Sequence, residues 1–351
     1  MKKILLTGGG TAGHVTPNIA LLSKLRELGL EVHYAGSKKG IERELMGREG
    51  VPYHPLSAGK LRRYFDLKNF TDLFRIAAGF FQALVLILRI KPLIIFSKGG
   101  FVSCPVVWAG SCLKIPVVIH ESDMTPGLAN KLSIPFAAKV CYSFPETGKY
   151  LPSGKGVHTG LPVRQSLFNG KADEGRKLCG FTDSKPVLMV IGGSQGSQVV
   201  NAAVRSSLAD LLKKYNICHI CGKGNLGEIN PGYAQFEYVN EELPHLFALA
   251  DLVISRSGAT TLFELFSLRK ANLLIPLGSN ASRGDQILNA ESFVRQGFSR
   301  VLSQDHLTPS TLVKSVEEAF GAREEMKAAM EKSRLRDGVE AVVNVIIDTL
   351  K

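Results

Sequence analysis

The chain has 351 residues, enough for about two domains, and 45% of them are apolar with charges of both signs interspersed, which excludes a disordered or fibrous chain. Its net charge of +12 is one-sided: residues 1–160 hold 21 Lys+Arg against 10 Asp+Glu (+11), and residues 161–351 hold 22 against 21 (+1). A basic first half fits an anionic surface or polymer, but no interleaved basic and aromatic pattern and no nucleic-acid motif occurs, so nucleic acid is set aside.

Met1-Lys2-Lys3-Ile4 runs straight into Gly8-Gly9-Gly10, leaving no room for a cleavable apolar leader, and six irregularly spaced cysteines point to a reducing cytoplasm. Lys3–Thr7 reads as a strand feeding the glycine-rich turn Gly8–His14. Pro17 then opens an amphipathic helix with apolar positions Ile19, Leu22, Leu25 and Leu28. Strands recur at Glu31–Ala35, Leu93–Phe96, Val117–His120 and Ala138–Tyr142, with helical patterns between. This alternation predicts a doubly wound parallel sheet.

Between them lies the most apolar run, Ile76 to Leu88, with Gln82 its one polar residue. It falls short of the roughly 20 residues that span a bilayer. Arg75, Arg89 and Lys91 flank it, and Lys60, Arg62, Arg63 and Lys68 lie shortly before. It reads either as a core helix or as a helix partly exposed beside a basic rim, docking on an anionic membrane surface through Phe80, Phe81, Leu84, Arg75 and Arg89; the +11 favours docking.

The pattern restarts near Pro186. Val187–Ile191 is a strand, and Gly192-Gly193-Ser194-Gln195-Gly196 is a second glycine-rich turn before a helix. Strands follow near Ile217–Cys221, Gln235–Tyr238, Leu252–Ser255, Asn272–Ile275 and Ser299–Leu302, and helices from about Pro309 to the end. The linker between the two α/β units is expected between Gly160 and Gly180. Cys218 and Cys221 bracket His219 inside a strand with no second ligand cluster nearby, which reads as buried structure.

Asp251 to Ala290 carries the most chemistry. A strand, the turn Arg256-Ser257-Gly258 and a helix from Ala259 through Glu264 make an anion site, because free N–H groups and the helix dipole converge there. Gly192-Gly193-Ser194 and Gly258-Ala259 suit two phosphates. Glu264, about one and a half turns into its helix, repels phosphate but accepts hydroxyl hydrogen bonds from a ribose. Gln286 suits a sugar. After the first glycine turn the second strand ends Ala35-Gly36-Ser37-Lys38 with no acid for a ribose, which argues against a nicotinamide enzyme. His14 follows that turn directly and belongs at the sheet edge where such folds bind ligands; it suits proton transfer, or it caps the helix. Lys98–Ser103 and His120-Glu121-Ser122-Asp123 follow other strands at the same edge. Neither a Walker lysine nor an Asp-x-Asp pair occurs, so no metal site is assigned, and helix termini are left to stabilise a leaving diphosphate.

GGGTAGH from Gly8, SKGGFVS from Ser97, HESD from His120, GLPVR from Gly160, GGSQG from Gly192, SRSGATTLFE from Ser255 and GDQILNA from Gly284 together resemble the MurG family of peptidoglycan glycosyltransferases, nearly end to end and in the family's order. The resemblance implies the GT-B architecture, an α/β fold of two Rossmann-like doubly wound parallel-sheet domains facing across a cleft. The expected boundaries are 1–162 for an acceptor- and membrane-facing domain and 163–335 for a UDP-GlcNAc-binding domain, with a helix at 336–351 packing back on the first. It implies inverting transfer of GlcNAc from UDP-GlcNAc to the muramyl 4-hydroxyl of lipid I, giving lipid II. The place would be the cytoplasmic side of the cell membrane, peripherally, on an anionic inner leaflet, beside other cell-wall synthesis proteins, and no cofactor is implied.

By motif, Thr11, Ala12 and Gly13 would line the donor sugar and diphosphate. Arg164, Ser194, Ala259, Thr260, Glu264 and Gln286 would bind the nucleotide sugar, and Val239 or Asn240 the uracil through the backbone. Asp123 stands at a sugar-contacting position. His14 would be the base or a contact to the acceptor's diphosphate, with Glu121 the second candidate base. Three departures stand out: Ala12 where many members carry Gly, Phe101 where many carry Tyr, and His-Glu-Ser-Asp where many read His-Glu-Gln-Asn. Asp123 accepts a sugar hydroxyl but cannot donate to one. A UDP-GlcNAc 2-epimerase, a glycolipid synthase, or a non-catalytic UDP-sugar sensor would keep the fold and change the role.

Overall fold

The computed structural model describes residues 2–59, 68–193, 196–278, 284–333 and 338–351, with backbone only for 68–71. The chain divides into two compact units, Met1–Arg164 with Arg336–Lys351, and Gln165–Leu335.

Unit 1 is built on seven parallel strands: β1 (Lys2–Thr7), β2 (Leu30–Ser37), β3 (Tyr53–Leu56), β4 (Ile94–Ser97), β5 (Val117–Glu121), β6 (Lys139–Tyr142) and β7 (Gly156–His158). Their order is β3-β2-β1-β4-β5-β6-β7. The central strands are buried on both faces, so they read as continuous apolar runs. Two edge strands escaped the sequence reading. Tyr53-His54-Pro55-Leu56 carries a proline that only an edge tolerates, and Gly156–His158 is three residues long. Helix Thr16–Glu27 buries Leu21, Leu22 and Leu25, but Leu28, expected on the apolar face, caps the helix end and is exposed. Helix Gly338–Thr349 lays Val339, Val342, Val343 and Ile346 into the same core, and Gly338 N–H donates to Leu161 O at 3.2 Å.

The apolar run 76–88 lies inside a longer helix, Lys68–Ile90, of 23 residues. Its Asp72–Ile90 part is long and apolar enough to cross a membrane by length and composition. It nevertheless buries Ile76, Ala83, Ile87 and Ile90 on the sheet, and Gln82 Oε1 accepts from Ser57 N–H at 2.7 Å. Packing on one side leaves only the other for a partner. Phe81, Val85, Leu88 and Phe74 stand out from it, with Phe81 64% and Phe74 73% exposed. Of the expected membrane-facing side chains, Phe80 and Leu84 turn toward the core and pack against it. They sit one helical turn apart on the flank of the buried stripe. Arg89 is exposed, and so is Arg75, which reaches Asp72 at 3.3 Å.

Unit 2 holds six parallel strands: β8 (Val187–Ile191), β9 (Asn216–Ile220), β10 (Tyr233–Phe236), β11 (Leu252–Ser255), β12 (Asn272–Leu274) and β13 (Arg300–Val301), in the order β10-β9-β8-β11-β12-β13. The third of these begins at Tyr233, two residues before the expected Gln235, because Tyr233 fixes it by a ring hydroxyl on His219 Nδ1 at 2.8 Å. His219 Nε2 meets Asn201 Oδ1 at 2.9 Å. Burial, then the charge of Arg205, pulls the His219 pKa down to about 3. Cys218, His219 and Cys221 are all buried, and this stretch is a packed strand.

Candidate functional site

In each sheet the strand order reverses once, between β1 and β4 and between β8 and β11. Connections leave such a pair in opposite directions and open a crevice at its C-terminal end, where doubly wound folds take their ligands. The register brings Thr7 beside Ser97 and Ile191 beside Ser255, so the four glycine-bearing turns named from the sequence sit at the two reversal points.

In unit 1 the two turns touch. Gly100 has φ +87, and a Cβ there would run into Gly9 O. Only glycine lets the two backbones approach this closely. The Phe101 ring lies over Gly10. The first turn is held from beneath by Glu42, fully buried, which accepts from Gly10 N–H at 3.4 Å, Ser37 N–H at 3.0 Å and Ser37 Oγ at 2.5 Å. A carboxylate near the start of helix Ile41–Arg48 is further favoured by the helix dipole. Thr11, Ala12, Gly13 and His14 follow in a short 3-10 turn, with Thr11 exposed and His14 half-buried. Thr11 Oγ1 meets His14 Nδ1 at 2.9 Å. If Nδ1–H donates, Nε2 keeps its lone pair.

The loop after β5 is built differently from its sequence reading. Glu121 is 3% exposed. Oε1 accepts from Asp123 N–H at 3.0 Å, and Oε2 accepts from Gly127 N–H at 3.0 Å and Asn130 Nδ2 at 2.8 Å. Burial, then the neighbouring Asp123 charge, pushes its carboxyl pKa up. His120, also buried, bonds Gly160 O through Nε2 at 2.9 Å. Burial, then the charge of Lys98, holds its pKa well below the usual imidazole range. Asp123 is half-buried at the loop's tip.

In unit 2, Gly258 caps helix Ala259–Ser267 and Gly284 caps helix Asp285–Arg295. Ser257 joins the two, its Oγ donating to Gln286 O at 2.7 Å. Gln286 Oε1 accepts from Leu277 N–H at 3.1 Å. Glu264 is 8% exposed, Ala259 is buried and Thr260 half-buried. The glycine turn of β8 presses on β9: a Cβ on Gly196, at φ +75, would run into Cys221 O. Arg256, 8% exposed, ties the turns together. It donates to Ser197 Oγ at 2.8 Å, Ile275 O at 2.9 Å and Pro276 O at 3.1 Å. Val239 is buried. Asn240 is exposed and its N–H is already taken by Glu242 Oε2 at 3.0 Å. Arg164, half-buried, ends the first segment of unit 1. Ser194 and most of the 278–285 loop lie outside the described residues.

The structure thus brings Thr11–His14, Phe101 and the 120–123 loop to one sheet edge, and Ala259, Thr260, Glu264 and Gln286 to another. The sequence reading missed Glu42 and placed Lys98 and Arg256 in turns without reading that they, like Glu42, are buried charged side chains that hold the turns. Charged residues of this kind are almost never fully buried unless paired, so composition alone gives no signal for them.

Two family models match the chain: the Glycosyltransferase family 28 N-terminal domain over residues 4–142 and the Glycosyltransferase family 28 C-terminal domain over residues 187–342. A protein from Clostridium tetani (strain Massachusetts / E88), named UDP-N-acetylglucosamine–N-acetylmuramyl-(pentapeptide) pyrophosphoryl-undecaprenol N-acetylglucosamine transferase, is 53% identical over 98% of this chain and 97% of its own. A protein of the same name from Clostridium botulinum (strain Loch Maree / Type A3) is 55% identical over 99% of both. The crystal structure of Acinetobacter baumannii MurG is 24% identical, with a TM-score of 0.77 over 99% of this chain and 100% of that one. The kitacinnamycin glycosyltransferase is 15% identical with a TM-score of 0.76 over 99% of both. These last two likenesses speak for the shared two-domain fold. With both its sheets matched by the family's two domain models, and more than half its residues shared along almost the whole chain with transferases of one name, the chain belongs to glycosyltransferase family 28, in its MurG group.

Proposed function

We propose that the chain transfers N-acetylglucosamine from UDP-GlcNAc to the muramyl 4-hydroxyl of undecaprenyl-pyrophosphoryl-MurNAc-pentapeptide, lipid I, to form lipid II in peptidoglycan synthesis. The observation that carries this is the reversal point of unit 2. There a glycine turn and the capped N-terminus of helix Ala259–Ser267 stand side by side, an arrangement suited to a diphosphate that leaves as UDP. Glu264 takes the ribose hydroxyls. Gln286, whose Oε1 is engaged by Leu277, offers its amide nitrogen to the sugar. Val239 takes the uracil in preference to Asn240, whose N–H is occupied by Glu242. Ser194 and Arg164 complete the nucleotide side, with Ala259 and Thr260 at the helix start.

Thr11, Ala12 and Gly13 line the donor sugar and diphosphate, Asp123 stands at a sugar-contacting position, and His14 is the base. With Nδ1–H donated to Thr11 Oγ1, Nε2 removes the proton of the 4-hydroxyl as its oxygen attacks the anomeric carbon. The C1–O bond to UDP breaks in the same step, and configuration inverts. Glu121 is not the base in this reading, because both its oxygens are spent on the loop. The test is to incubate the protein with UDP-GlcNAc, with and without a short-chain lipid I analogue. UDP release that requires the acceptor, with one GlcNAc gained by it, is expected; release without acceptor refutes the transfer.

The exposed face of helix Lys68–Ile90 docks on the anionic inner leaflet of the cell membrane, peripherally and from the cytoplasmic side. Replacing Phe81 and Val85 with Glu is expected to cut binding to anionic vesicles by about tenfold or more, since each buried apolar side chain is worth about 1.5–3 kcal/mol. Activity on a soluble acceptor should stay intact. Unchanged vesicle binding would remove this face from the account.

A further inference from the structure

Lys98 follows β4 directly and is 1% exposed. Its N–H donates to Thr7 O at 2.9 Å on the neighbouring β1. Its Nζ donates to Ser122 Oγ, in the loop after β5. The charged and titratable groups acting on it are Glu121 at the end of β5, Asp123 from that loop and Cys141 from β6, while His120 of β5 feels its charge in turn. Thr7 and Gly8, which close the β1 side, bring no titratable group.

A buried ammonium costs several kcal/mol unless opposite charge and hydrogen bonds compensate it. Here the compensation is the pair of carboxylates flanking Ser122. The reverse holds as well: Asp123 stands next to Glu121, and two like charges around one loop repel.

Resting on the lipid I reading above, we propose that Lys98 is a positioning residue of the transfer. It holds Ser122 and balances Glu121 and Asp123, so that the 120–123 loop presents Asp123 to the sugar in one arrangement. It acts through Asp123 and touches no substrate. Burial draws its pKa down to about 8, against the opposing pull of Glu121 and then Asp123, so the protonated form is complete below that pH and is lost above it. The sign for stability is opposite. A lysine pKa lowered in the folded state makes this group's contribution to stability rise between pH 8 and its unfolded value. Activity therefore falls over a range in which this group does not weaken the fold.

The test compares the full-length protein with Lys98→Met and with Lys98→Met/Asp123→Asn, assayed with UDP-GlcNAc and the short-chain lipid I analogue from about pH 6 to 9. The wild type is expected to lose kcat/KM through an alkaline limb near pH 8. Lys98→Met should be slower by about tenfold at neutral pH and lack that limb, and adding Asp123→Asn should restore about fivefold of the loss, as coupled neighbours do. A Lys98→Met protein with wild-type rate and limb overturns the inference, as does a double variant no faster than the single one. Should Lys98→Met fail to fold, Ser122→Ala keeps the charge and removes its hydroxyl. A loss of about threefold or more with a shifted limb then supports the role, and an unchanged profile overturns it. A wild type that does not turn over at all condemns the transfer reading instead.

Discussion

Replacing His14 with Ala should lower kcat by about 10²- to 10⁴-fold, the usual worth of a positioned general base, while leaving the donor KM nearly unchanged. His14 is not among the proposed nucleotide contacts, so losing its imidazole removes an interaction made only as the hydroxyl is deprotonated. The 2.9 Å contact between Thr11 Oγ1 and His14 Nδ1 makes a second, smaller effect follow. Thr11→Val frees Nδ1 and lets the ring take the other tautomer or turn, so kcat falls in the same direction by less. His14→Ala at full kcat would take the base assignment away.

Glu121→Ala is the largest expected loss of stability. It leaves Asp123 N–H and Gly127 N–H without their acceptor, and Asn130 Nδ2 with only His120 O at 3.3 Å, in a buried loop. Each unsatisfied donor costs about 1–3 kcal/mol, and water entering the vacated space offsets part of it. A net loss of about 3–4 kcal/mol corresponds to a Tm drop of about 10 °C for a unit of this size, measurable by calorimetry. A Glu121→Ala protein that melts with the wild type would contradict this structural role.

The strand–glycine–helix joints were legible because their signal is local. Gly8–Gly10 and Gly258 each follow an apolar strand within a few residues, and Gly10, at φ +90, takes a backbone that favours glycine. The strands of the sheet centres were legible for the same reason, as short apolar runs. What holds the joints was not. Glu42 reaches Gly10 across 32 residues, Lys98 reaches Ser122 across 24, and Arg256 reaches Ser197 across 59. Their importance comes from being charged and buried, which only the folded chain reveals. Glu121 was read as a free acid for this reason, since nothing in His-Glu-Ser-Asp announces that Gly127 and Asn130 fold back onto it. The helix Lys68–Ile90 failed in another way. Its apolar residues run all the way round, so periodicity could not tell Phe81, which faces out, from Phe80 and Leu84, which lean on the core. The edge strands β3 and β7 were too short and too polar to announce themselves.

The most direct measurement is the configuration and position of the new bond in the product. The protein would be given UDP-GlcNAc, an α-glycoside, and the lipid I analogue, and the isolated product examined by NMR. A single displacement by the 4-hydroxyl predicts one GlcNAc, β-linked to C4 of the muramyl sugar. An α linkage would require two displacements and contradict the in-line mechanism, and a sugar attached elsewhere would contradict the acceptor.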